Sequence, residues 1–250
     1  MKPSWKFMGN GAWLYGPLIV CASTILFSAH ATARPVSWAG VILFVCGVVT
    51  TYALDRWVDF PVKERRWELL AMAAIFTAIG LGASAWLPLW KIALAGLLGL
   101  VGLGYRRLKK WPLGKTVLVA GAWTVAGIGF PVAWDARDLF FAPYCGAFLA
   151  VFAAGALLCD LKDGPADARA GVRTAVVLWG PRIAAFAAGV LALGGVLVSL
   201  AVGRRGLAVA GLALLALAAS PRLVSRPLLG PVLVDCALSL PAVLILTGLA

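Results

Sequence analysis

The sequence predicts an all-α integral membrane protein with nine transmembrane helices. Three observations carry that prediction. Of the 250 residues, 62% are hydrophobic and only 13% charged, and the mean hydropathy is +0.96. Soluble domains average near 45–50% apolar and about 25% charged, and a soluble fold of this size has no interior large enough to hide the difference. The apolar residues come in continuous runs rather than in alternation, which excludes a porin-like barrel. The 22 Lys and Arg residues outnumber the 10 Asp and Glu, and the cations fall in short connections between apolar runs. That placement speaks for membrane topology and lipid headgroups as partners, and against nucleic acid.

In chain order the runs cover residues 13–29, 37–54, 67–86, 88–104, 116–134, 139–159, 178–203, 206–220 and 228–249. The first follows Met1–Asn10, which has no small-residue cleavage site, so no cleavable signal peptide is expected. The eighth is short for a span, yet Leu207 to Ala219 carries no charge. Trp13, Trp38, Trp57, Trp67, Trp86, Trp90, Trp111 and Trp134 lie near the ends of runs, as an interfacial aromatic belt does. Trp123 lies deep in the fifth run and is expected to pack in the core. The five cysteines have no CxxC spacing and are expected to be reduced packing residues. A single histidine, His30, excludes a His-rich metal site and argues against a His-based triad.

With the N-terminus inside, 17 cations fall on the inner side and 5 on the outer (Arg34, Lys91, Arg137, Arg204 and Arg205). This asymmetry predicts nine helices with the N-terminus and the functional face cytoplasmic, in the cell's inner membrane.

The acidic residues are grouped. Asp55 and Asp59 follow the second run at spacing i, i+4; Asp160, Asp163 and Asp167 follow the sixth at i, i+3, i+7. On helical extensions each set shares one face. The offset from Asp55 to Asp163 and from Asp59 to Asp167 is 108 in both cases, so the chain reads as two four-helix units plus a ninth helix, each unit with carboxylates on the same membrane face. Like charges this close at a low-dielectric border require a cation. Carboxylate oxygens suit Mg²⁺, which binds one or two carboxylates together with substrate phosphates. Asp235 lies inside the ninth run, about 13 Å beyond Arg226 if the chain is helical between them; it is either a functional acid or an interhelical hydrogen-bonding group. Asp135 and Asp138, with Arg137, are expected in a solvated outer turn.

The segment Thr51-Tyr52-Ala53-Leu54-Asp55-Arg56-Trp57-Val58-Asp59 resembles the first aspartate-rich motif of the UbiA superfamily of intramembrane prenyltransferases, NDxxDxxxD. Asp160-Leu161-Lys162-Asp163, continuing through Asp167 to Gly171-Val172-Arg173-Thr174, resembles the second, DxxDxxxD followed by GxRT. Tyr105, Lys109 and Pro112 resemble the family's basic loop. The resemblance covers nearly the whole chain and implies one domain, residues 1–250, with helices bundled around a central cavity capped on the cytoplasmic side. It implies two Mg²⁺ ions between the motifs and an isoprenyl diphosphate. Asp55, Asp59, Asp163 and Asp167 would be the catalytic, metal-side carboxylates and Asp160 a further metal ligand. Tyr105 and Lys109 would hold the diphosphate, with Arg56, Arg173 and Thr51 as further substrate-binding residues. Thr51 and Tyr52 stand where the family has Asn-Asp. Thr51 offers a hydroxyl oxygen, and Tyr52 does not replace a carboxylate.

The activity implied is Mg²⁺-dependent transfer of an isoprenyl group to a hydrophobic, aromatic acceptor. A UbiA-like terpene cyclase would use the same ionisation and need no acceptor. A transporter would place its acids at mid-membrane depth, and a non-catalytic scaffold would leave the paired clusters unexplained. The topology has its own test. Single-cysteine variants at Arg107 and Arg137, in a background freed of native cysteines, should label from opposite sides of the membrane; labelling from one side overturns the nine-helix arrangement.

Overall fold

The computed structural model describes residues 14–59, 66–135 and 145–249. The regular elements there are helices: α1 (Tyr15–Thr32), α2 (Trp38–Asp59), α3 (Arg66–Ser84), α4 (Leu89–Leu108), α5 (Gly114–Gly129), α6 (Cys145–Arg169), α7 (Ala175–Trp179), α8 (Pro181–Ala201), α9 (Arg205–Ala218), α10 (Pro221–Val224) and α11 (Leu229–Leu246). Among the described residues, seven are long and apolar enough to cross a membrane: α1, α2, α3, α4, α6, α8 and α11. The architecture is that of a multi-pass membrane protein. α5 and α9 have 16 and 14 residues, about 24 and 21 Å of helix, against a hydrocarbon core of roughly 30 Å.

Where helix ends depart from the apolar runs, a local cause is visible. The fifth run reaches residue 134, yet α5 stops at Gly129. Beyond it, Ser37 N–H donates to Pro131 O at 2.8 Å and Ala133 N–H to Pro35 O at 3.0 Å, tying this segment to the α1–α2 connection. Lys91, 1% exposed, donates from Nζ to Phe130 O at 3.2 Å and Val132 O at 2.6 Å. A cation at the carboxyl end of a helix is favoured by the helix dipole. The seventh run is divided at Gly180, whose φ of 82° is left-handed, into α7 and α8. The sixth run ends at residue 159, but α6 continues to Arg169 through Pro165.

α6 is the axis of the molecule. It packs against α5, α8, α9 and α11, and 56% of its membrane-spanning window is buried, against 6% for α4. Small residues let the neighbours approach, as is usual where lipid removes the hydrophobic drive between helices. A Cβ on Gly195 of α8 would meet Val151 Cγ2 of α6 at 2.8 Å, and one on Gly211 of α9 would meet Val196 Cγ2 of α8 at 2.7 Å. α11 closes the bundle by packing between α1 and α9. There Ser23 Oγ donates to Leu238 O and Ser239 O, both at 3.3 Å, and Asp235 rests against Gly16.

Five rings form a continuous row through the core. Phe27 stacks on Phe148 (5.9 Å between centroids), Phe148 on Phe152 (4.4 Å) and Phe152 on Trp123 (5.5 Å); Trp123 meets Phe44 edge to face (5.7 Å). Trp123 is thus a core residue. Trp38, Trp67, Trp86 and Trp111 are exposed, as belt residues should be, whereas Trp134 is buried with Arg34 over its ring at 5.1 Å. All five cysteines are free. Trp13, Arg137 and Asp138 lie outside the described residues, and Asp135 is exposed.

Gly194 and Gly195 make a matched pair. Gly195→Val should lower stability by about 1–3 kcal/mol through overpacking, whereas Gly194→Val, whose Cβ meets nothing within 4 Å, should be close to neutral. Thermal unfolding in detergent measures both.

Candidate active site

The site is built where α4 and α6 end and α5 begins, on one face of the bundle. α4 stops at Leu108, and the chain turns through Lys109–Leu113 into α5. The turn is tight: Gly114 N–H donates to Trp111 O at 2.9 Å, Leu113 is left-handed at φ 59°, and a side chain at 114 would strike Leu108 O. Leu113 N–H also donates to Arg173 O at 2.9 Å, which pins the turn to the segment beyond α6. That segment is fixed in its turn. Gly171 is left-handed at φ 69°, Val172 N–H donates to Asp167 O at 2.9 Å, and Gly164 admits Val176, whose Cγ1 would lie 2.6 Å from a Cβ there.

These constraints bring Lys115, at the mouth of α5, onto the acidic face of α6. Its Nζ lies 2.9 Å from Asp160 Oδ1, 3.1 Å from Asp167 Oδ2 and 3.5 Å from Asp163 Oδ2. Thr116 Oγ1 donates to Asp160 Oδ2 at 3.3 Å, and Lys162 Nζ donates to Asp163 Oδ1 at 2.6 Å. Burial works against the charge on Lys115, and the three carboxylates outweigh it, so its pKa is raised. The i, i+3, i+7 spacing is what lets three carboxylates reach one ammonium. Asp160 is the most buried of the three, its side chain 4% exposed against 34% for Asp163.

The remaining sequence-predicted residues arrange around this cluster. Tyr105, in the last turn of α4, lies within the electrostatic field of Asp55, Lys115, Asp160 and Asp167. Lys109 Nζ lies 5.4 Å from the centre of that ring and within the field of Asp167. Asp55 and Arg56 are half-buried on α2, and Arg56 Nε is buried without a hydrogen-bond partner among the described residues. Tyr52 packs against the core near Asp55, Cys159 and Asp235. Thr51 is exposed on α2, and Arg173 is exposed while its carbonyl holds Leu113. Asp59 ends α2, and its side chain lies outside the described residues.

Sequence reasoning counted Lys115 and Lys162 only as inner-side cations and passed over Thr116. One signal was available. Lys115 opens an apolar helix, where the dipole disfavours a cation, and a lysine there needs carboxylates to meet it.

The carboxylates offer Mg²⁺ hard oxygen donors, but the two motifs differ. Among the described residues, no three His, Cys, Asp or Glu side chains form a group that would hold a metal ion. Asp160, Asp163 and Asp167 converge on the Lys115 ammonium instead, so this half of the site does not fit a preformed divalent site. On the α2 half, Asp55 is half-buried, and its carboxylate is of the type that suits Mg²⁺.

Solved structures share this fold. The chain is similar to the apo structure of a UbiA homologue from Aeropyrum pernix K1, with a TM-score of 0.70 and 17% identity over 93% of this chain and 98% of that one. It is also similar to a UbiA homologue from Archaeoglobus fulgidus bound to DMAPP and Mg²⁺, with a TM-score of 0.57 and 16% identity over 91% and 96%. The Archaeoglobus fulgidus homologue bound to Cd²⁺ gives a TM-score of 0.59 and 17% identity over 92% and 97%. No protein-family model matches the sequence, and no curated protein does. The fold is therefore that of the UbiA homologues, an intramembrane helical bundle.

The cluster has a measurable mechanical role. Asp160→Ala should cost about 2 kcal/mol, because a buried partner of Lys115 and Thr116 is lost. Asp163→Ala should cost under about 1 kcal/mol, its carboxylate being partly solvated. Chemical unfolding in micelles, followed by tryptophan fluorescence, should rank the two in that order.

Proposed function

We propose that this chain is a UbiA-superfamily prenyltransferase, one domain over residues 1–250 with nine membrane-crossing helices. It transfers an isoprenyl group from an isoprenyl diphosphate to a hydrophobic, aromatic acceptor. The observation that supports the reading is the gathering of Asp160, Asp163 and Asp167 on one face of α6, with Tyr105 in the field of that face and of Asp55, in a fold shared with a homologue bound to DMAPP and Mg²⁺. The inner-side cations support an orientation with this face cytoplasmic in the inner membrane.

Asp55 and Asp59 are the residues that would hold Mg²⁺ with the diphosphate. When bound, Mg²⁺ supplies Lewis-acid stabilisation of the leaving diphosphate. The Lys109 ammonium and Tyr105 hydroxyl orient the phosphate oxygens, and Arg56, whose Nε–H has no hydrogen-bond partner among the described residues, and Arg173 add positive charge. These groups are fixed before the reaction, so charge developing on the leaving group meets dipoles and cations that need not reorganise. The allylic C–O bond ionises, and the carbocation is protected from water by the apolar bundle. The faces of the core aromatic row are of the kind that attract cations. The acceptor attacks through carbon and then loses a proton. Asp235, whose charge is felt at Tyr52 and Cys159, would accept it.

Membranes containing the protein, given labelled allylic diphosphates of graded length, should yield a prenylated lipid-soluble product and inorganic diphosphate. Lys109→Ala should raise the KM for the donor about tenfold, the loss of one phosphate-binding cation, and Asp55→Asn should cut turnover by about 100-fold or more. A cyclised hydrocarbon formed without acceptor would instead establish a terpene cyclase. No diphosphate release from any donor would overturn the reading.

A further inference from the structure

The structure assigns Lys115 the place that a divalent cation would occupy on the Asp160–Asp163–Asp167 face. We propose that Lys115 is a built-in counter-ion, and that the chain therefore engages a diphosphate with one divalent ion, on its α2 side, rather than two. The second half of this statement rests on the proposed function; the exclusion of a divalent ion from the α6 face does not.

Three observations carry the proposal. The first is geometric. A Mg²⁺ ion bound to these carboxylates needs their oxygens at about 2.0–2.1 Å, and the oxygens already converge on Nζ at 2.9, 3.1 and 3.5 Å. An ammonium and a divalent ion cannot share that point. The second is charge. Asp160, Asp163 and Asp167 bring three negative charges, and Lys115 and Lys162 return two positive ones. The α6 face is left with one net negative charge, little for a second divalent ion to neutralise. The third is the fixation of the lysine. Its stem begins one residue after Gly114, whose backbone is held against Leu108 and whose neighbour Leu113 is bonded to Arg173. Thr116 holds Asp160 in place from the same turn of α5. The ammonium is thus delivered by the backbone, not by a surface side chain that happens to reach.

The offset of 108 between the two motifs gives the arrangement a counterpart. It aligns Asp160 with Tyr52, so the α2 motif lacks the carboxylate that the α6 motif has, and it is the α6 motif that Lys115 of α5 meets.

Mn²⁺ binding, counted by electron paramagnetic resonance on the full chain in detergent, tests this without turnover. The wild type should bind one Mn²⁺ in the presence of an unreactive isoprenyl thiodiphosphate. Lys115→Gln should bind a second, and in the absence of the analogue should bind Mn²⁺ at least tenfold more tightly than the wild type. Lys115→Arg should behave as the wild type. Equal stoichiometry and affinity in wild type and Lys115→Gln overturn the proposal. If Lys115→Gln does not fold, the wild type and Asp163→Asn decide it. The proposal requires the same Mn²⁺ affinity in both without the analogue, and a wild-type site that Asp163→Asn removes overturns it. Loss of prenyl transfer with these binding results intact would remove the proposed function and leave the counter-ion role standing.

Discussion

Three carboxylates at the border of a membrane are the constraint on which the rest of this structure turns. Held together in a medium of low dielectric, they repel one another and lose solvation at the same time. Lys115 resolves both problems at one point, and much of the surrounding structure delivers it there: the close approach at Gly114, the left-handed Leu113, the Leu113–Arg173 hydrogen bond and the bond from Thr116. The cluster in turn fixes the end of α6 relative to the starts of α5 and α7. A charge-balance requirement has therefore become the register mark for three helices.

Packing supplies the complementary half of that arrangement. α6 reaches the cluster only because its apolar part is seated among α5, α8, α9 and α11 on glycine and alanine contacts. The opposite end of α5 is closed by Lys91, a second buried lysine, which satisfies carbonyls rather than carboxylates. One helix is thus held at both ends by ammonium groups with opposite tasks. At its start the lysine works against the helix dipole and needs anions; at its finish the dipole favours it.

The row of rings from Phe27 to Phe44 links this framework to chemistry. It crosses α1, α6, α5 and α2, so the elements that carry the acidic motifs also carry the aromatic core. In the proposed reaction the polar end would bind and ionise the donor, and the apolar interior would keep the cation from water. Asp235 lies on α11, against Gly16 and in the field of Tyr52 and Cys159.

By itself the sequence determined the membrane class, the nine apolar runs, the grouping of the acids and the spacing that lets each group share a face. These are local properties: hydropathy is a sum over neighbours, and helical spacing sets which side chains point together. The sequence also marked Tyr105 and Lys109 as belonging with the acids, through their resemblance to a family loop. The tertiary structure decided what sits between the acids. Lys115 is separated from Asp160 by 45 residues, and no periodicity within either segment brings them together. Their contact depends on how closely α5 and α6 approach and on a turn whose backbone conformation was not legible in composition. The same is true of the extension of α6 past its apolar run, which a hydropathy profile ends at Cys159 but which packing and the Lys115 contacts carry on to Arg169. Charge partners across helices are chosen by three-dimensional proximity, and that is settled only when the helices have packed.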